Sequence, residues 1–328
     1  MKICVLGSYK GVLDEGMANV SFHIYNNLKK IYPQTIFVNI QDVTKLNFWK
    51  TITDFKPDIL HLVPGPTTKG LTLSKIIQKK TDCFLVVSST RTALPNYFKI
   101  FSKLLKPNLV IVNSRKSQEF YEKNAYKTKF LPNGVDVEKF KQITAEEKIE
   151  LRQKYGIEKN QYVILHIGPI IKGRNQRSLL DVPDVKILLV ASTTNPSDNT
   201  EISKLNKANV TVWKKFFPNV EEIYQLSDLY VFPIFEDLNS IEIPLSVLEA
   251  MSCNLPVVTT RYGGLKSILE EGNGLFFINN PEELKKTIVS VKDKNLSVKT
   301  RDKVLNYSWE NIVNQLAQFY QELVEVKA

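Results

Sequence analysis

The chain has 328 residues, 43% of them hydrophobic, with three cysteines and a formal net charge of +10. That length allows two domains that each bury a core, while no apolar run approaches the roughly 18 residues needed to cross a bilayer. The start MKICVLGSYKG is too short of apolar residues for a secretory leader, and Cys4, Cys83 and Cys253 stand isolated, without metal-ligand spacing or an even framework. A cytoplasmic chain with small reduced core thiols is therefore expected.

In the first half, short β-branched runs alternate with helical stretches, the pattern of parallel sheets with crossover helices. Strands are predicted over Ile3 to Gly7, Thr35 to Ile40, Ile59 to Val63, Phe84 to Ser88, Leu109 to Asn113 and Phe130 to Pro132. Helices are predicted over Met17 to Lys30 and from Ser114 to Asn124, the latter with Asn113-Ser114 as its cap. Gly7, Gly11 and Gly16 lie in the loop after the first strand, and Gly16-Met17 opens a helix whose free amides suit an anion. The stretch RTALPNYFKIFSKLLK, Arg91 to Lys106, interleaves aromatics and leucines with lysines and suits either core packing or an interfacial helix on anionic lipid.

Between Leu131 and Glu146 the run LPNGVDVEKFKQITAEE breaks regular structure at Pro132, Asn133 and Gly134, which marks a domain boundary. Beyond it, strands are predicted over Tyr162 to Gly168, Val185 to Ala191, Val210 to Trp213, Leu229 to Pro233 and Pro256 to Thr260, again an α/β alternation. The segment NSIEIPLSVLEAMSCNLPVVTTRYGGLKSILEEGNG, Asn239 to Gly274, is the most informative. Ser240 or Glu242 can precede a helix in which Pro244 suits the first turn, leaving amides near Leu245 and Ser246 for an anion. Glu249 stands about two turns in, within reach of a hydroxylated group attached to a phosphate.

That segment, continued through GNGLFF, resembles the signature of the family-four retaining glycosyltransferases of the GT-B fold, and PNGVD followed by Phe140 resembles the hinge signature of the same family. The resemblance implies two Rossmann-like, doubly wound domains facing a central cleft. Residues 1–138 would bind the acceptor, 139–308 the nucleotide sugar, and 309–328 would form a helix crossing back to the first domain. Glu249-Ala250-Met251 matches the ribose-binding half of the signature; eight positions earlier stands Ile241, and the nearest acid, Glu242, is taken to orient the donor sugar. Gly168-Pro169-Ile170-Ile171-Lys172-Gly173-Arg174 resembles the element whose two cations hold the donor diphosphate, with Lys172 as the first and Arg174 or Arg177 in place of an arginine that is Pro169 here. Such cations lower the barrier as the leaving group gathers charge. The implied reaction is transfer of a sugar from a nucleotide-diphosphate donor to an acceptor hydroxyl with retention, without a metal or other cofactor, since no Asp-x-Asp pair is present.

On the acceptor side the resemblance places Gly16 and Met17 at a phosphate loop and His61 in a Pro-Asp-x-x-His strand. Ser89, Thr90 or Arg91 occupies the place of a histidine that the family commonly carries. Residues 1–140 hold 21 Lys and Arg against 10 Asp and Glu, a charge of +11, and the remainder −1. A basic acceptor half favours a glycan or lipid-linked acceptor bearing phosphate, or peripheral contact with an anionic membrane; nucleic acid is not expected, as no binding module or arginine-rich arm is present. Two alternatives are a non-catalytic nucleotide-sugar-binding subunit and a sugar-nucleotide epimerase. A dinucleotide oxidoreductase is disfavoured by Gly7-Ser8-Tyr9, which lacks the glycine spacing of that site.

Overall fold

The structure, a computed structural model, describes every residue except 10–14, 92–103, 181, 195–196, 209, 237–238, 295 and 326–328. Most of the stretch Arg91 to Lys106 thus lies outside the described residues. The chain forms two compact units: Met1–Gly134 with Ser240–Ile243 and Trp309–Ala328, and Val135–Asn239 with Pro244–Ser308. The division falls after Gly134, where the sequence reading placed it after residue 138. Residues Ser240–Ile243 were assigned to the second domain but belong with the first.

The first unit is built on a six-stranded parallel sheet of β1 (Ile3–Gly7), β2 (Ile36–Asn39), β3 (Ile59–Gly65), β4 (Phe84–Ser89), β5 (Leu109–Val112) and β6 (Thr128–Phe130), in the order β2-β1-β3-β4-β5-β6. β1, β4 and β5 are apolar almost throughout, as a sheet covered on both faces requires. β6 starts earlier than the predicted Phe130 to Pro132 and ends at Phe130, because Pro132 has no N–H for the ladder; the Leu131 amide, donating to Val112 O at 2.9 Å, is the last to pair. Helices α1 (Gly16–Ile31), α2 (Leu46–Phe55), α3 (Thr68–Thr81) and α4 (Arg115–Lys123) connect the strands. On one face Phe48, Ile52, Leu71, Leu73 and Ile77 bury their side chains against Cys4, Leu6, Leu60 and Leu85.

The second unit repeats the plan with β7 (Val163–Ile167), β8 (Lys186–Ala191), β9 (Thr211–Lys214), β10 (Leu229–Phe232), β11 (Val257–Thr260) and β12 (Leu275–Ile278), ordered β12-β11-β10-β7-β8-β9 and parallel throughout. β12 comes from the GNGLFF run. Its helices are α5 (Ala145–Lys154), α6 (Asn199–Lys207), α7 (Glu221–Gln225), α8 (Leu245–Ser252), α9 (Leu265–Ile268) and α10 (Pro281–Asp293). Asp228, just before β10, accepts from Lys148 Nζ at 2.7 Å, Arg152 Nη2 at 2.5 Å and the Val163 amide at 2.7 Å, tying α5 to the start of β7.

The last helix, α11 (Trp309–Glu325), packs on α1 within the first unit. Its Tyr320 hydroxyl meets His61 Nδ1 at 2.6 Å, and Trp309 stacks on His23 with ring centroids 5.0 Å apart. Gly134 is glycine for a steric reason: a Cβ there would stand 2.7 Å from the Trp309 ring.

Candidate functional site

Parallel order dictates where a site forms. In the second sheet the chain runs from β7 outward to β8 and β9, then resumes at β10 on the other side of β7 and runs to β12. The switch between β7 and β10 opens a crevice at the carboxyl ends of these two strands, the place where doubly wound sheets take ligands. Gly168 follows β7 there, and the loop after β10 leads to α8.

Gly168 has φ +149°, and a Cβ on it would collide with Arg174 Nη1, so the guanidinium lies directly on the glycine backbone. Arg174 is 6% exposed, and its Nε donates to Asn239 O at 3.0 Å. It belongs to the short 3-10 turn Lys172–Arg174, whose first residue, Lys172, is exposed. Asn239 Nδ2 ties the turn down by donating to Gly173 O at 2.9 Å and to Glu236 Oε2 at 3.1 Å. Arg177, the other substitute weighed for the second cation, is bound elsewhere: its Nε and Nη2 donate to Glu201 at 2.7 and 2.5 Å.

The cationic character of Arg174 registers on its neighbours. Burial drives the His166 imidazole down to about 3, and Arg174 pushes the same way, so His166 is neutral at physiological pH. Burial raises the Tyr230 hydroxyl, while adjacent Ser246 and Arg174 oppose the rise.

α8 begins differently from the sequence expectation. Pro244 is itself the cap residue, no side chain caps the helix, and neither Ser240 nor Glu242 serves in that role. The Leu245 and Ser246 amides therefore open the helix without a side-chain acceptor on its positive end. One turn further, Glu249 Oε2 accepts from the Tyr224 hydroxyl at 2.6 Å. Burial raises the Glu249 carboxyl to about 7, with the Tyr224 hydrogen bond and Lys139 opposing and Glu221 reinforcing the shift. Tyr224 is completely buried and stacks edge-on against Phe140, 5.6 Å between centroids, so the Phe of the PNGVD-x-x-x-F run supports the residue that orients Glu249.

The remaining predicted residues lie in the first unit and are not gathered in this way. Glu242 is 0% exposed, and its Oε1 accepts from Ser114 Oγ at 2.7 Å and Ser117 Oγ at 2.5 Å, while its amide donates to Thr90 O at 2.8 Å. The carboxylate closes the start of α4 and is sealed from solvent, which corrects its placement beside a donor sugar. His61 is likewise enclosed, with Nε2 2.8 Å from Ser88 Oγ and Nδ1 on Tyr320; burial lowers it to about 3. Ser89 is fully buried against the Tyr121 hydroxyl at 3.1 Å, whereas Arg91 is exposed. At Gly16 and Met17 the helix start is covered by Glu15, whose Oε2 accepts from the Ala18 amide at 2.8 Å. Sequence reasoning missed Glu236, an exposed carboxylate beside the Lys172–Arg174 turn; the signal was its position just past the β10 strand, in the same loop as Asn239.

Two parallel six-stranded α/β units with this crevice define a protein of the GT-B glycosyltransferase fold. Residues 154–293 match the family model of the glycosyl transferases group 1, a stretch that lies, apart from Ser240–Ile243, within the second unit. Anabaena HepE, solved in complex with UDP, superposes with a TM-score of 0.76 at 18% identity over 98% of this chain and all of that one. The sucrose-phosphate synthase of Thermosynechococcus elongatus gives 0.79 at 15% identity over 99% of this chain and 100% of its own. In sequence, the alpha-galactosylglucosyldiacylglycerol synthase of Streptococcus pneumoniae is 26% identical over 60% of this chain and 55% of its own length. An Escherichia coli UDP-Gal:alpha-D-GlcNAc-diphosphoundecaprenol alpha-1,3-galactosyltransferase is 25% identical over 84% and 75%. The chain thus spans about half the length of the first of these relatives.

Proposed function

We propose that the protein is a retaining glycosyltransferase that moves a sugar from a nucleotide-diphosphate donor to a hydroxyl of a lipid-linked or glycan acceptor. The observation that carries this reading is the seating of the Arg174 guanidinium on Gly168 at the same strand switch that holds the uncapped start of α8. In this reading Lys172, Arg174 and the Leu245 and Ser246 amides take the diphosphate, and Glu249 accepts the ribose hydroxyls. Glu236, in place of Glu242, meets the donor sugar. As the bond from the anomeric carbon to the diphosphate oxygen breaks, the acceptor oxygen bonds to that carbon on the same face and its proton passes to the departing oxygen. Fixed cations that meet the developing charge lower the barrier without a metal ion.

The acceptor class rests on two supports: the +11 charge of residues 1–140, and relatives whose names specify a glycosylated diacylglycerol product and a GlcNAc-diphosphoundecaprenol acceptor. Among the described residues no helix is long and apolar enough to cross a membrane; contact with the cytoplasmic face of an anionic membrane is part of the proposal. A second reading, nucleotide-sugar binding without transfer, draws on the enclosure of His61 and Glu242 and on the carboxylate covering α1. Thermal stabilisation by uridine, guanosine and adenosine diphosphates and their sugar conjugates tests the donor site. A selective shift in the wild type that is lost in Glu249→Ala is expected, and no shift with any of them would refute it. Slow donor hydrolysis without acceptor then separates the enzyme from the binding subunit.

A further inference from the structure

The first unit contains a cavity of about 610 Å³ between the starts of α2 and α3, lined by Ile40, Val43, Trp49, Leu73, Ile76 and the first turn of α3. Ile40 follows β2 and Thr67 follows β3, so the cavity opens at the carboxyl edge of the first sheet, where parallel sheets receive ligands. Its volume falls within the roughly 300–1,000 Å³ of small-molecule sites. The Trp49 indole N–H is already spent on Val43 O at 2.9 Å, and the Thr67 hydroxyl on the Gly70 amide at 3.0 Å, which leaves an apolar interior. Leu46, 90% exposed, and Ile76, 44% exposed, continue the apolar surface outward.

The rim has the opposite character. Lys69 lines the cavity and is exposed, Lys45, just before α2, is paired with Asp42 at 2.7 Å, and the first turn of α3 has no acidic residue to offset the positive helix end. Thr68 Oγ1, also in the lining, is buried with no hydrogen-bond partner among the described residues. An apolar slot with a cationic mouth and an orphaned hydroxyl matches an amphiphile whose chain is apolar and whose head is anionic and rich in acceptor oxygens.

We propose that this cavity binds the hydrocarbon chain of a phosphate-headed lipid, with the head held by Lys69, the α3 amides and Thr68. The inference goes beyond the proposed transfer reaction and is tested without a sugar donor, so either claim can fail alone. Calorimetric titration with decyl phosphate, kept below its micelle-forming concentration, should show binding to the wild type. Thr72→Phe, an exposed position on α3 that projects a ring into the slot, should weaken it at least tenfold, and Lys69→Glu about fivefold; decyl maltoside should bind more weakly than decyl phosphate. Equal affinity of the wild type and Thr72→Phe would overturn the proposal. So would inorganic phosphate binding as tightly as decyl phosphate, which marks a free-anion site, or decyl maltoside doing so, which removes the role of the charged head. If a second copy of the chain covers the slot instead, light scattering would show a dimer that Thr72→Phe dissolves while decyl phosphate has no effect, and the proposal fails.

Discussion

The starts of α1 and α8 are the same structural object, a helix opening at the carboxyl edge of a parallel sheet, yet the chain finishes them in opposite ways. At α1 the Glu15 carboxylate accepts from the Ala18 amide and cancels the positive end. At α8 Pro244 leaves the end bare, and a buried arginine stands nearby on Gly168. Among the other helices Thr67 caps α3, Ser114 α4, Thr144 α5, Asp198 α6 and Asn280 α10, while α2, α7 and α9 start, like α8, without a side-chain cap. A bare start beside a buried cation costs stability unless an anion arrives, so the contrast favours the start of α8 over that of α1 as the place for a diphosphate.

The comparison breaks most readily at Arg174. Arg174→Ala should lower kcat/KM by about 100- to 1,000-fold, equivalent to roughly 3–4 kcal/mol of charge stabilisation, with an unchanged far-ultraviolet spectrum. Gly168→Ala should mimic it by displacing the guanidinium. If both variants retain wild-type turnover, the crevice between β7 and β10 is not where the diphosphate is held.

Glu242→Ala tests the other side of the contrast. It strips two serine hydroxyls of a buried carboxyl partner, which predicts a loss of about 2–4 kcal/mol in unfolding free energy, read by denaturant titration, with nucleotide affinity unaltered. A large fall in donor affinity at unchanged stability would restore Glu242 to the sugar.

Glu249 is the intermediate case, a carboxylate oriented by Tyr224 but left close to its titration point. Its folded value near 7 lies above the ordinary 4.5, so folding holds its proton more tightly and the wild type loses stability as pH rises from about 4.5 through 7. Glu249→Gln should match the wild type below about pH 4.5 and gain progressively over it up to pH 7. Nucleotide affinity should rise in the wild type as the carboxylate ionises across pH 7, and be flat and about tenfold weaker, or about 1.4 kcal/mol, in the glutamine variant.

What could be read in the sequence followed from local pattern. Runs such as VILHI and VVTT are too short and too apolar for anything but covered strands, and Ser114 announced its helix by capping chemistry alone. Glu242 could not be read, because its partners Ser114 and Ser117 lie 128 and 125 positions away. His61 is settled by Tyr320, 259 positions on. Arg174 stood among the candidates by proximity; what singles it out over Arg177 is Glu201, which takes the second guanidinium, a pairing with no trace in spacing.

The finest distinction concerns Glu15. Glu15→Ser keeps a capping oxygen and removes the charge, so the fold should lose no more than about 1 kcal/mol. If the α1 start nevertheless meets a phosphate during the reaction, the variant should bind the nucleotide diphosphate a few-fold more tightly at low salt, because a like charge has been withdrawn. The gain should fade near 1 M salt, where screening shortens the reach of exposed charges to about 3 Å. Unchanged affinity at every ionic strength would mean that α1 never faces the anion and that Glu15 is simply its cap, leaving the second unit to bind the diphosphate alone.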